Sequence, residues 1–168
     1  EKEYALTSPV ICHTARLQIY PEGVELVELA MGSGSGVAPH GMEVVFFTLM
    51  GKPLKSEHCG SCATCSQMAR LETYRLLGGF DPAFRRGEDT ELAIRHAIAG
   101  GHFVGECIPL VKQHMTPTSE KSLDKLHEFW IKIFEKHRDV FGSQAQYDFC
   151  KGWVDLKYSW LMGDRSCF

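Results

Sequence analysis

Residues 67–101 read QMARLETYRLLGGFDPAFRRGEDTELAIRHAIAGG, and the fold follows from how this stretch divides. Leu71, Tyr74 and Leu77 recur at the spacing of one helical face, which predicts a helix over 70–77. Gly78 and Gly79 end it, because glycine enters the left-handed region without a Cβ clash. Phe80-Asp81-Pro82 turns the chain. Arg86-Gly87-Glu88-Asp89 then opens a second helix over 89–99, stopped by Gly100-Gly101. Two adjacent carboxylates at a glycine-flanked helix start have two uses. They can cap the helix, satisfying free N–H groups and opposing the positive dipole end. They can equally hold a general base at a cleft edge, worth ~10²–10⁴ in rate. The spacing leaves both readings open.

Working outward, residues 9–20 (PVICHTARLQIY) are rich in β-formers, Pro21-Glu22-Gly23 forms a turn, and VELVELAM returns as the second arm of a hairpin. The glycine-rich run 32–41 (GSGSGVAPHG) is a loop. Residues 41–54 begin with an apolar segment that predicts a short helix ahead of Gly51-Lys52-Pro53. Residues 102–114 (HFVGECIPLVKQH) predict a strand broken around Pro109. Ser119 to Phe141 predicts a long amphipathic helix, with Leu123, Leu126, Phe129, Trp130, Ile133 and Phe134 on one stripe that covers the sheet. A last helical or irregular segment carries Trp153, Leu156, Trp160 and Leu161. Strands alternating with helices give an α/β class.

The chain has 168 residues, 44% hydrophobic and 23% charged, with a formal net charge of −3, values ordinary for a globular domain. Basic residues are scattered rather than striped, which gives no electrostatic case for a nucleic acid partner. No apolar run approaches ~18 residues, so no transmembrane segment is expected. Seven cysteines cannot all pair within one chain, which fits free thiols in a reducing compartment, hence a cytoplasmic protein or one at the membrane periphery. The absence of an initial methionine fits a missing N-terminal part.

Three of those cysteines stand in HCGSCATC, residues 58–65, at even three-residue steps. A metal or iron–sulfur site needs four converging ligands. Only Cys59, Cys62 and Cys65 are in place, with His58 adjacent. Read as a strand, 58–67 would turn Cys62 away from the other two and set Cys59 and Cys65 ~20 Å apart. That geometry favours a small-residue strand over a cluster.

Taken together, the small-residue strand, the helix, GGFD, the spacer, G-E-D, the L-A-x-R helix and a strand ending in histidine resemble the C-terminal half of the catalytic domain of family-2 glycosyltransferases. The likeness covers roughly residues 43–116. It implies a partial GT-A fold: a mixed sheet with flanking helices in residues 1–116, and a helical C-terminal extension in 117–168. It implies Asp89 as the base that deprotonates an acceptor hydroxyl, with Glu88 and Arg86 binding substrate. Gly60, Ser61 and Cys62 would line the sugar pocket, their small side chains making room, and His114 would be a metal ligand. The implied partners are a nucleotide-sugar donor and a glycan or other hydroxyl acceptor, and the implied cofactor is Mg²⁺ or Mn²⁺. The reaction would be an inverting displacement. The Asp-x-Asp that grips the metal in that family is absent from this chain. The expectation is therefore a fragment whose donor-binding half is missing, or a homo-oligomer. Two other readings stand beside it: a non-enzymatic binding or scaffold module in which G-E-D merely caps a helix, and a CxxCxxC metal-binding protein.

Overall fold

The structure, a computed structural model, describes residues 9–34, 36–54, 60–116 and 122–164. Among them are five α-helices and a four-stranded mixed sheet. Two compact units divide the chain, one formed by Glu1–Ala83 with Glu88–Thr116 and the other by Phe84–Gly87 with Pro117–Phe168. The expected boundary near residue 116 is therefore joined by a second crossing, since Phe84–Gly87 belongs with the C-terminal helices.

In the first unit β1 (Val10–Ile19) is the central strand. Its alternation puts Ile11, His13 and Ala15 on the buried face. One edge carries two antiparallel partners in succession. β2 (Glu25–Glu28) pairs with Arg16–Ile19 through the expected hairpin, and β3 (Gln67–Ala69) pairs with Ile11–His13. The Pro21–Gly23 turn closes with Gly23 at φ 81 and Tyr20 N–H donating to Val24 C=O. β4 (His102–His114) runs parallel along the other edge. Its register slips on both sides of the Ala15–Pro109 pair, because proline has no N–H to give the ladder.

Helix α1 (Met42–Met50) buries Val44, Val45 and Leu49 and ends on left-handed Gly51. α2 (Leu71–Leu77) ends on Gly78 as expected. Its buried side chain is Thr73, however, and Leu71 is exposed. The expected stripe therefore does not face the core. α3 (Glu88–Ile98) buries Leu92, Ala93, Ile94 and Ala97, and with them Glu91 and His96. Glu91 is fully buried and takes both arms of Arg95, at 2.8 and 3.0 Å from Nε and 2.6 Å from Nη2. The same guanidinium donates to Leu77 C=O and Gly79 C=O, carbonyls that the end of α2 leaves without helical partners. The Arg95 of L-A-x-R thus ties α3 to the Gly78-Gly79 turn.

The small-residue segment departs from its expected form. Over its described part, 60–66, it is not a strand. Ser61 makes one isolated bridge to Ala30, Thr64–Ser66 is a 3₁₀ turn, and the strand occupies only 67–69. Serine hydroxyls bring this about. Ser61 Oγ accepts from Ala63 N–H, and Ser66 Oγ donates to Ala63 C=O, local bonds that compete with a ladder.

In the second unit α4 (Leu123–Lys136) is capped by Ser122 and buries Phe129, Ile133 and Phe134. It is shorter than expected. His137 leaves helical geometry, a 3₁₀ turn covers Arg138–Val140, and residues 117–121 lie outside the described set. α5 (Gln144–Met162) is capped by Ser143 and ends on Gly163. It packs on α4 through Tyr147, Cys150 and Tyr158, with His127 Nε2 2.7 Å from Asp155 Oδ1. Trp153 and Trp160, expected in that segment, point outward. No helix among the described residues is long and apolar enough to cross a membrane.

Candidate functional site

The first turn of α3 presents Glu88 and Asp89, both half-buried. Gly87 precedes them at φ +67, and a Cβ there would lie 2.2 Å from the Phe129 ring. Both requirements select glycine: the left-handed backbone and the ring seated on its Cα. Asp89 Oδ1 accepts from Thr90 N–H at 2.7 Å and from Thr90 Oγ1 at 3.3 Å. Thr90 N–H is one of the first-turn donors that a helix leaves without an internal partner, so Asp89 serves the capping use of the pair as well.

Cys62 lies within electrostatic reach of this turn. Burial, and after it the charge of Asp89, pushes the Cys62 thiol up to about 12. Two motifs that are separate in the sequence are therefore neighbours in space. Gly60 and Ser61 have a different task from the one expected. A Cβ on Gly60 would fall 2.3 Å from Leu29 C=O and 2.4 Å from the Ala30 carbonyl carbon. The chain's own backbone thus takes the room that glycine leaves. Ser61 N–H donates to Leu29 C=O, and Met31 N–H donates to Ser61 C=O. Gly60 and Ser61 fasten the 60–62 turn to 29–31, and Cys62 is the member of the three that faces Asp89.

A polar chain missed in the sequence runs behind Cys62. His13, 1% exposed, lies 3.3 Å through Nε2 from Gln67 Nε2, and Gln67 Oε1 accepts from Tyr74 OH at 2.9 Å. The Gln67 amide nitrogen is a donor, so His13 Nε2 accepts and its proton sits on Nδ1. Burial, with His96 adding to it, pushes the His13 imidazole down to about 4, against a partial offset from the Cys62 carbonyl. His96 Nε2 lies 3.0 Å from His102 C=O, and the His102 ring stacks on His40 at 4.6 Å. Burial lowers both His96 and His102 as well. The signal available in the sequence was a histidine at an inward position of β1, between Ile11 and Ala15.

Two expected site residues stand elsewhere. His114 is exposed and pairs with Ile19, six residues along β1 from His13 or about 20 Å at the strand rise. Arg86 is half-buried and belongs to the second unit, where its charge is felt at the Tyr158 hydroxyl of α5. Among the described residues no group of three or more His, Cys, Asp or Glu side chains is placed to hold a metal. The described side chains thus do not by themselves complete a Mg²⁺ or Mn²⁺ site. Cys65 is exposed and receives Arg16 Nη1 at 3.5 Å. His58 and Cys59 lie outside the described residues, so the strand argument about sulfur spacing has no counterpart in the structure.

Comparison of the chain with protein-family models, with curated proteins and with solved structures gives no match.

Proposed function

We propose that the first unit carries the acceptor-activating part of a glycosyl-transfer site of the family-2, GT-A type, with Asp89 as general base. The observation that supports this reading most is that the Asp89 charge reaches the Cys62 thiol, since it brings the two motifs on which the resemblance rests into one region of the first unit. In this reading the Asp89 carboxylate accepts the proton of an acceptor hydroxyl. The oxygen attacks the anomeric carbon of the donor, and the nucleotide diphosphate leaves with the bonding pair, inverting the centre. Glu88 holds a second hydroxyl of the acceptor. Thr90 fixes the free rotation of the Asp89 carboxylate through Oδ1, leaving Oδ2 for the substrate. Donor binding is assigned to residues beyond those described.

Amide chemical shifts of the chain titrated with a panel of mono- and oligosaccharides test the proposal. The expected result is a saturable shift at Gly60–Cys62 and Glu88–Thr90 with at least one glycan, abolished by Asp89→Ala. Shifts confined to other surfaces, or none across the panel, would sink it.

A further inference from the structure

α5 has two faces of different use. One, with Tyr147, Cys150 and Tyr158, is buried on α4. The other exposes Phe149 at 73%, Trp153 at 63% and Trp160 at 63%. With Leu156 between them, these side chains step by four, three and four residues, the spacing of a straight seam along one helix side. A helix apolar on two faces is ordinarily covered on both. Beside the seam Ala145, Gly152 and Ser159 recur every seven residues. Gly152 costs the helix about 1 kcal/mol relative to alanine. Among the described residues no atom beyond the helix's own backbone comes within 4 Å of where its Cβ would be. Packing inside the chain therefore gives no reason for glycine at this position.

We propose that this face pairs with the same face of a second copy, the two α5 helices lying antiparallel about a twofold axis near Gly152. An isologous contact must be self-complementary. The small column satisfies this, because reversed about Gly152 it sets Ala145 against Ser159 of the other copy and glycine against glycine. That permits the short axial separation at which the flanking aromatic rings interlock. The helix carries Asp148 and Asp155 against Lys151 and Lys157, so two copies meet without net repulsion. The three exposed aromatics offer on the order of 450 Å² per copy from their exposed fractions. Doubled and joined by Leu156 and the small column, the area approaches the low end of stable interfaces, about 1,200 Å². A lipid surface is the weaker candidate, since such helices carry a basic polar face and this one is balanced.

Sedimentation equilibrium of the whole chain across roughly 1–100 μM tests the pairing. The expected result is a mass rising from one to two chains of 18.9 kDa. Gly152→Glu, placed where the fold leaves open space, and Trp153→Ser/Trp160→Ser should each weaken the dimer at least tenfold while keeping the helical circular dichroism. Gly152→Glu keeps the test decisive if the tryptophan variant fails to fold. A chain that stays monomeric throughout overturns the proposal, as does a dimer indifferent to Gly152→Glu. Flotation of a monomeric chain with vesicles of phosphatidylcholine and phosphatidylserine would assign the face to lipid instead.

Discussion

Burial of His13 should destabilise the first unit over a defined acid pH window. The imidazole is 1% exposed, and burial pushes it from 6.5 down to about 4. Above about 6.5 both folded and unfolded chains hold it neutral, so its contribution is complete there. As pH falls below 6.5 the unfolded chain takes up a proton that the folded chain refuses, and stability falls until the folded histidine titrates near 4. At 1.36 kcal/mol per pH unit the interval corresponds to about 3 kcal/mol. That is a large share of the 5–15 kcal/mol typical of a domain. His96 and His102 are lowered by burial too and act with the same sign, so the His13 part must be isolated by difference. His13→Gln keeps a polar side chain beside Gln67 and removes the titration. Urea unfolding of both proteins, followed by circular dichroism from about pH 7 to about pH 4, should show the native chain losing about 3 kcal/mol more than the variant. Parallel losses would refute the placement of a neutral His13 in the core.

Gly87→Ala should destabilise by about 2–4 kcal/mol, from left-handed strain and overlap with Phe129. Gly78→Ala has a similar φ in open space and should cost only the strain, about 1 kcal/mol; equal urea midpoints for the two variants would contradict the seat of Phe129 on Gly87. In a short iodoacetamide pulse at mildly alkaline pH, Cys65 and Cys107 should be modified and Cys62 spared, because its thiol is held at about 12. Asp89→Asn should speed Cys62 labelling by removing the neighbouring charge, and peptide mass spectrometry reads both results. Labelling of Cys62 at the rate of Cys65 would separate it from Asp89.

Local punctuation was legible in the sequence: Gly51, Gly78 and Gly100 end helices as their left-handed preference requires, and the Pro21–Gly23 turn fixes the hairpin register. The break around Pro109 was equally plain. Segment 58–67 was not legible, because small residues satisfy a strand pattern and a turn alike. Its outcome depended on where the hydroxyls of Ser61 and Ser66 found partners. Helical periodicity identified α2 but not its buried side, since Thr73 packs inward while Leu71 stays in solvent. At the candidate site Asp89 and Cys62 could be named, but no local pattern signals that the absent side chain of Gly60 makes way for backbone. Nor could local spacing place Arg86 with the C-terminal helices, more than thirty residues further on.

The parallel ladder between β1 and β4 bears on the order of assembly. Val10 pairs with His102, about ninety positions later, whereas β1 and β2 are joined by a turn of a few residues. Loops this long close slowly, so the hairpin forms first and waits for its other edge to be filled. α3 lies between the two strands in sequence and ends three residues before β4. His96 near its end meets the His102 carbonyl at 3.0 Å, so the buried imidazole gains that partner with the last strand of the sheet. Until β4 is synthesised, one edge of β1 has no strand to pair with.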